Sequence, residues 1–456
     1  MAFSGIYQSG NVLTSELVDA NLSTDIAIIG TEEYWNERTN RVPYETTSSE
    51  YARTFFDQVI AFTQLGEIGL AWWSTGPSKE ERMSWDKDLD GIPDEGAPSW
   101  LGPVNSDFRV PPVPENDYMQ YPSYMVRFWD DNFLEYIKKE ILFYQEKGWD
   151  GIYFDTVPPT AWTKANEFHA PIYSWRELAD NCYLGLKKIR DFINFTSPDF
   201  KLFINGSVIN QWMNFRPEVF NLLDGLVVEK GFYGDRPGED FTKGHEFPSH
   251  FKLSHWDNNG AHGGWLRDMR LTMARQGVDI PVIITEYVDD LPEIAAGMAI
   301  SMNDLDDNFS ANLVYDSLFR SKQDSSTRTL AQNYVAYVGG DGNDQISNTS
   351  NARSIIVGGD GDDVLAGSNL DDVLMGGSGN NIINGGDGFD IAVYDLPFEA
   401  YVKSSDITAS RIELKSQYKH QLEITLYSWT IPDNVPKFSL FVNDSLVVSD
   451  FPILSG

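Results

Sequence analysis

Three sets of residues in this 456-residue sequence have types and spacings suited to chemistry. The first stands directly after short apolar runs. Asp155 follows Gly151-Ile-Tyr-Phe, Asn205 follows Lys201-Leu-Phe-Ile, Glu229 follows Gly225-Leu-Val-Val, and Glu286 with Tyr287 follows Pro281-Val-Ile-Ile-Thr. Arg127, Trp129 and Asp130 follow a run from Tyr124, and Trp72 and Trp73 close a run from Glu67. Two carboxylates flanking an acetal bond act as proton donor and as nucleophile or base, at about 5–5.5 Å separation for retention and about 6.5–9.5 Å for inversion. Flat aromatic rings bury the apolar faces of sugars. We expect Asp155 as nucleophile or base and Glu229 as proton donor, its pKa raised by the surroundings of Phe232 and Tyr233. Lys230, next along the strand, falls on the other face. Glu286 is the reserve for either role, and Glu32 and Glu33 are weaker candidates. The residues expected to hold the sugar are Trp72, Trp73, Arg127, Trp129, Asp130, Asn205, Tyr233, Glu286 and Tyr287. For any one strand-end acid, a cap or an arginine partner is the plainer reading.

The second set recurs every nine residues. GGDGDDVLA, GSNLDDVLM, GGSGNNIIN and GGDGFDIAV start at 358, 367, 376 and 385, and an earlier copy, GGDGNDQIS, starts at Gly339. The interval of 19 from Gly339 to Gly358 is two periods plus one residue, so a degenerate turn over Asn348 to Val357 is expected to fill it. Glycines allow the left-handed turn, and the sixth-position Asp344, Asp363, Asp372 and Asp390 offer the oxygen ligands that calcium prefers. Third-position Asp341, Asp360 and Asp387 can add ligands. Asn381, Asn369 and Ser378 replace Asp in their copies and predict weaker, unequal sites. Ile346, Val364, Leu365, Val373, Leu374 and Ile382 are the expected thin core. Stacked carboxylates repel without metal, so the segment should fold only where calcium is high. The plainer reading, a Gly/Asp-rich linker, does not explain four consecutive copies in register.

The third set is Asp86, Asp88 and Asp90 with Gly91, positions 1, 3, 5 and 6 of a calcium loop. Position 12 is Ala97 rather than the Glu of an EF-hand, and the spacing is closer to a thrombospondin type 3-like loop with Asp94 as a later ligand. The alternative is a solvated acidic loop. His245, His250, His255 and His262 lack convergent zinc spacing and are expected, with Trp256 and Trp265, in a long loop lining the groove.

The elements that must position these residues read as βα units over residues 20–320. Eight strands are expected, at Asp25–Ile29, Glu67–Trp73, Tyr124–Trp129, Gly151–Asp155, Lys201–Asn205, Gly225–Glu229, Pro281–Glu286 and Ala296–Ile300. An intervening helix is expected from Asp131 to Lys147, with Phe133, Leu134, Ile137, Ile141 and Leu142 on its apolar face. Eight such units in about 300 residues imply a (β/α)8 TIM barrel with its site at the C-terminal strand ends. The expected architecture is α/β: residues 1–325 a TIM barrel, 326–395 a parallel β-roll, and 396–456 a small β domain, either a cap on the roll or a partial carbohydrate-binding-like module.

Bulk properties narrow the partners. The formal net charge is −34; residues 339–395 carry ten Asp and one Arg, leaving −25 elsewhere. Nucleic acid and anionic membranes need basic patches and are excluded as expected partners; calcium and a cationic polymer suit the balance. Cys182 is the only cysteine, so no internal disulfide is expected. The N-terminus shows neither a basic nor an apolar signal region, and no apolar run approaches transmembrane length.

The nonapeptide copies closely resemble the RTX calcium-binding repeat family. That resemblance implies unfolded export by type I secretion machinery, hence an extracellular or cell-surface protein. The stretches Ala97-Pro-Ser-Trp-Leu-Gly, Tyr124-Met-Val-Arg-Phe-Trp-Asp, Gly148-Trp-Asp-Gly-Ile-Tyr-Phe-Asp-Thr-Val, Phe203-Ile-Asn-Gly and Leu223-Asp-Gly-Leu-Val-Val-Glu resemble the endo-α-1,4-polygalactosaminidase family over roughly residues 95–290. The resemblance implies a TIM barrel hydrolysing galactosamine-containing polysaccharide, with Asp155 and Glu229 as the catalytic pair. Pro158-Pro-Thr-Ala-Trp departs from the family pattern, which bears on substrate more than on fold. Pro436-Lys-Phe-Ser-Leu-Phe-Val-Asn-Asp-Ser-Leu-Val resembles part of calcium-dependent xylan-binding modules.

The expected function is a secreted, endo-acting glycoside hydrolase on an extracellular polysaccharide, with structural Ca2+ and no cofactor for catalysis. The alternative is a non-enzymatic, calcium-dependent surface-layer, filament or adhesion protein that self-assembles through the roll and C-terminal domain.

Overall fold

The computed structural model describes residues 6–9, 24–30, 48–54, 56–69, 77–88, 90–104, 123–155, 157, 160–163, 170–206, 214–229, 264–286, 295, 298–299, 302, 309–315, 332–350, 352–393, 411–412, 437–442 and 445–452. The chain divides into two compact units. One comprises Ile6–Glu229 and Leu271–Val282; the other comprises Met1–Gly5, Lys230–Arg270 and Ile283–Gly456.

The first unit contains β1 (Ile6–Ser9), β2 (Thr24–Gly30), α1 (Ser49–Ala52), β3 (Phe56–Gln64), β4 (Glu67–Gly69), α2 (Lys79–Met83), β5 (Leu101–Val104), β6 (Ser123–Val126), α3 (Asp131–Glu146), β7 (Gly151–Asp155), α4 (Trp175–Thr196), β8 (Lys201–Asn205) and β9 (Gly225–Glu229). β1, β2, β3, β7, β8 and β9 pair in that order, each parallel to the next. Strands in such a sheet are covered on both faces, so they read as unbroken apolar runs. Ile26–Ile29, Ile152–Phe154 and Leu226–Val228 are accordingly buried throughout. α3 starts where the Asp130 carboxylate accepts from the Asn132 N–H, and α4 starts on a Ser174–Glu177 capping box. α3 buries Phe133, Leu134, Ile137 and Ile141 as expected, with Tyr144 in place of Leu142, which is exposed. This is a parallel α/β sheet of the kind found in TIM-barrel-like domains.

Three expected strands are corrected. The runs from Glu67 and Tyr124 contribute β4 and β6, which pair antiparallel in a separate three-stranded sheet with β5. The parallel sheet is built instead with β3, whose flanking Asp57, Gln58, Thr63 and Gln64 dilute its apolar signal. The described residues within the run Ala296–Ile300, Met298 and Ala299, are not in a strand. Ala295, Met298, Ala299 and Met302 are helical and buried at the helical spacing of 3, 4 and 7 that brings side chains to one face.

The remaining elements are α5 (Gly264–Arg275), β10 (Val282–Glu286), β11 (Phe309–Tyr315), β12 (Gln332–Asp341), β13 (Gln345–Ser347), β14 (Arg353–Asp360), β15 (Val364–Ala366), β16 (Val373–Ser378), β17 (Ile382–Asn384), β18 (Ile391–Val393), β19 (Arg411–Ile412), β20 (Lys437–Val442) and β21 (Ser445–Pro452). β10 and β11 are parallel, and β11 turns antiparallel onto β12. From there β12, β14, β16 and β18 stack as one parallel sheet, and β13, β15, β17 and β19 as a second. Each coil of the roll thus takes two nonapeptides. Asp341 lies opposite Asp360, 19 residues on, and Asp360 opposite Ser378, 18 on. The extra residue is absorbed between β13 and β14, where Asn348 Nδ2 donates to the Ala352 carbonyl and Asn348 Oδ1 accepts from Ser350.

Ile356, Leu365, Leu374 and Ile383 form the roll's core, with Tyr337 and Ile346 against it. Val364 and Ile382, expected inside, are 39% and 48% exposed. In a three-residue strand only the middle side chain faces inward, so the eighth position of each nonapeptide is the core position. β20 and β21 form an antiparallel pair. Among the described residues no helix is long and apolar enough to cross a membrane.

Candidate functional site

Two places in the chain gather the residues singled out by type. In the first unit, three consecutive parallel strands, β7, β8 and β9, end in Asp155, Asn205 and Glu229. Asp155 is half-buried, and Asn205, 7% exposed, donates from Nδ2 to Asp155 Oδ1 at 2.9 Å. That bond holds the rotamer of the Asp155 carboxylate. On the other side, Gln64 at the end of β3 is the register partner of Asp155, and the Leu65 N–H donates to the Asp155 carbonyl at 3.2 Å. The Gln64 side-chain oxygen is buried with no hydrogen-bond partner among the described residues. Glu229 lies two residues beyond Val227, the register partner of Asn205. Two strand spacings and two residues of rise put the Asp155 and Glu229 backbones on the order of 12 Å apart. The Glu229 side chain lies outside the described residues.

Asp150, at the opposite end of β7, is structural: its carboxylate pairs with Arg53 at 2.6 Å and accepts from the Val59 N–H at 2.8 Å. The face of β3 that carries Thr63 meets α3, where the Thr63 hydroxyl donates to the fully buried Glu140 at 2.8 Å. Burial pushes the Glu140 carboxyl up to about 7, against the lowering effect of that bond.

Arg127, Trp129 and Asp130 follow a strand of the antiparallel sheet rather than of the parallel one. Arg127 donates to the carbonyls of Ser99 and Leu101 at 2.9 and 3.0 Å and to the Tyr173 hydroxyl at 3.0 Å, and lies 4.9 Å from the Trp162 ring centroid. Trp129 packs edgewise on Phe128 and Tyr173. Asp130 caps α3 with one oxygen and accepts from Ser99 with the other, at 2.9 and 3.1 Å. These three side chains join the 99–101 segment, α3 and the Trp162 turn. Trp72, Trp73, Tyr233, Tyr287, Glu32, Glu33, the four histidines and Trp256 lie outside the described residues, as do the side chains of Glu286 and Trp265. Gln64 escaped the sequence reading because the more apolar run after it drew the strand assignment.

In the second unit the sixth-position residues form two hydrogen-bonded ladders. Asp363 Oδ1 accepts from the Asp344 N–H and Asn381 Oδ1 from the Asp363 N–H, both at 2.9 Å. Asp390 Oδ1 likewise accepts from the Asp372 N–H at 3.0 Å. The first-position glycine makes room for the same carboxylate: a Cβ on Gly358 would stand 2.2 Å from Asp363 Oδ2. Gly359 has φ +100°, and a Cβ there would meet the Gly340 carbonyl at 2.1 Å. The fifth position forms a further ladder that the sequence reading missed. Asn343, Asp362 and Asp371 each accept from the backbone N–H of the fifth residue one coil on. Its signal was the recurrence of Asn or Asp at that position.

The acids of the roll are not equivalent. Asp344 Oδ2 and Asp363 Oδ2 are buried with no hydrogen-bond partner among the described residues. Asp372 instead has one oxygen on Ser354 and the other on Ser368. Asp360 Oδ1 accepts from Ser378 at 2.6 Å. Burial, and behind it the crowding of Asp372, Asp371 and Asp387, pushes Asp390 up to about 7; burial and neighbouring acids also raise Asp363. Buried carboxylate oxygens without donors, among other acids, fit a hard divalent cation.

Residues 357–392 match the model of the RTX calcium-binding nonapeptide repeat, in four copies. This segment is an RTX β-roll. The roll fits the metal by its own atoms, Asp363 Oδ2 within the matched residues and Asp344 Oδ2 in the copy before them; calcium supplies the charge that lets such carboxylates stack. No curated protein matches the chain. Solved structures similar to it include the glycoside hydrolase domain of PelA from Pseudomonas aeruginosa, at 12% identity over 71% of this chain and 98% of that one, with a TM-score of 0.40. Ega3 from Aspergillus fumigatus in complex with galactosamine is 13% identical over 64% and 83%, with a TM-score of 0.34. Trehalose-6-phosphate hydrolase from Bacillus licheniformis is 14% identical over 64% and 58%, with a TM-score of 0.37.

Proposed function

We propose that the chain is an exported glycoside hydrolase that cleaves an extracellular amino-sugar polysaccharide. The observation that carries this reading is the run of Asp155, Asn205 and Glu229 at the same end of three adjacent parallel strands. Sites in such sheets collect at the C-terminal strand ends. Asp155 is the nucleophile or base, held by Asn205; Glu229 is the proton donor. Gln64 stands where its free oxygen can accept from a sugar hydroxyl or amine. In this reading residues 1–325 form a (β/α)8 barrel, residues 326–395 the calcium-dependent roll, and residues 396–456 a small β domain.

The substrate class rests on two supports. One is the resemblance of residues 95–290 to the polygalactosaminidase family. The other is the charge of −25 outside the repeats, within the −34 of the chain, which attracts a partly de-N-acetylated polymer. Export through type I machinery to a calcium-rich exterior follows from the RTX segment.

The test is release of reducing ends from a panel of α-1,4-galactosaminan, N-acetylgalactosamine polymer, chitosan and plant glycans. Asp155→Asn and Glu229→Gln should each lower turnover by about 10³-fold or more on the polymer that is cleaved, the range for losing one member of an acid–base pair. Turnover unchanged by both substitutions would sink the assignment. Tight sugar binding with no hydrolysis of any polymer would favour the non-enzymatic adhesion reading.

A further inference from the structure

The acidic loop between α2 and β5 lies in the first unit, and neither the proposed hydrolysis nor the RTX repeats account for it. One oxygen from each of Asp86, Asp88 and Asp90 lies within 4.8 Å of the others. Asp88 and Asp90 are exposed, whereas Asp86 is 0% exposed. An acidic surface loop needs no such burial, and a carboxylate withdrawn from water without full compensation is costly.

The compensation at Asp86 is incomplete. Its Oδ2 accepts from the Gly91 N–H at 3.0 Å and from the Tyr124 hydroxyl. Its Oδ1 is buried and has no hydrogen-bond partner among the described residues. The groups that share the cluster with it are two further carboxylates. A buried carboxylate oxygen without a donor, on a residue clustered with other carboxylates, is stabilised by a cation.

We propose that Asp86, Asp88 and Asp90 hold a calcium ion that is independent of the roll. Three carboxylates on one short loop suit the large, hard ion, with water and loop carbonyls completing the six to eight ligands that calcium takes. Asp94 is not part of this set: its Oδ2 accepts from the Lys87 N–H at 2.9 Å and closes the loop instead. The site anchors the loop to the antiparallel sheet at two points. Tyr124 on β6 donates to Asp86, and the Val104 N–H on β5 donates to the Gly91 carbonyl at 2.8 Å. Gly91, at φ +88°, has no room for a side chain, since a Cβ would stand 2.7 Å from Val104. Calcium at this loop therefore orders residues 84–104, including the Ser99 and Leu101 carbonyls that hold Arg127.

Trp85 adjoins Asp86, and the repeats from 339 to 393 contain no tryptophan, so the two kinds of site can be read apart on the full chain. Terbium serves as the probe, with tryptophan-selective excitation. Sensitised emission should appear, be displaced by calcium, and weaken about tenfold or more in affinity in Asp88→Asn/Asp90→Asn, which removes two of the ligand charges. Both substituted residues are exposed, and Asp88→Asn alone should be intermediate. Hydrogen exchange of residues 84–104 should slow with calcium in the parent chain and not in the double variant, while the roll's own response to calcium stays. Emission that is absent or that survives the double substitution, or exchange over 84–104 indifferent to calcium, overturns the proposal.

Discussion

The parallel sheet of the first unit and the RTX roll of the second are both stacks of parallel strands, yet they are held by opposite means. In the first, every residue from Ile26 to Ile29 and from Ile152 to Phe154 is buried, and α3 and α4 add their own apolar faces. In the roll, a three-residue strand such as β15 or β17 buries little beyond its middle residue, Leu365 or Ile383. Its width is set by ladders of Asp363, Asn381 and Asp390 bonding backbone N–H groups. The first region is stabilised by burial of apolar area, at roughly 25 cal/mol per Å². The second has too thin a core for that, and buries Asp344 Oδ2 and Asp363 Oδ2 with no hydrogen-bond donor among the described residues. We expect the first region to be self-supporting and the second to depend on calcium.

The sharpest way to break this contrast is to remove calcium. Chelation should abolish the roll as a folded unit, with exchange protection lost across 339–393 and kept in β2, β7 and β8, as metal-coupled folding requires. Equal loss in both regions, or in neither, would erase the distinction. Next in size is Leu365→Ala. In a core this narrow a truncation of the kind that costs about 2–5 kcal/mol should raise the calcium concentration at which the roll folds by tenfold or more. A matching truncation at Ile152 should leave that concentration alone and lower the melting temperature of the first unit.

Glu140 tests the first region from its weak side. Its folded pKa is raised to about 7 by burial, whereas an unfolded glutamate titrates near 4.5. Between those values the folded state holds a proton that the unfolded state has released, so stability falls as pH rises from about 4.5 to about 7 and then levels. The full loss is on the order of 3 kcal/mol. Glu140→Gln keeps an acceptor for Thr63 and should flatten this slope in denaturant titrations at several pH values. An unchanged slope would show that Glu140 is not its source. The smallest effect belongs to Asn381→Asp. It keeps the bond from the Asp363 N–H and adds a ligand charge, so calcium affinity of the roll should rise by about two- to fivefold, read by calorimetry. A fall would mean that the Asn381 Nδ2 bond to the Gly377 carbonyl matters more than the added charge.

Much of the roll was legible in its sequence because its contacts are short-ranged and periodic. Each nonapeptide touches copies 18 or 19 residues away, so composition at the first, second, fourth and sixth positions states the coil directly. Even there, Val364 and Ile382 were placed inside because an apolar type alone does not tell which way a three-residue strand turns it. The inequality of the acids was only half visible: Asn381 and Ser378 could be read, but the engagement of Asp372 by Ser354 and Ser368 could not.

For the first unit, the sequence by itself determined that apolar runs end in Asp155, Asn205 and Glu229, since a strand buried on both faces announces itself by composition. It did not determine which runs share a sheet. The runs from Glu67 and Tyr124 are as apolar as the run that ends in Asp155, and only hydrogen-bond pairing sent β4 and β6 to an antiparallel sheet while β3 took the place beside Asp155. The partners of Asp155 were likewise settled by tertiary structure, Gln64 lying 91 residues before it and Asn205 50 residues after it. The same holds for the spacing of Asp86, Asp88 and Asp90, which suggests a cation but equally suits an exposed loop. Tyr124, 38 residues on, closes over Asp86 and leaves one oxygen dry, because burial and hydrogen-bond satisfaction belong to the packed chain and not to any stretch of it.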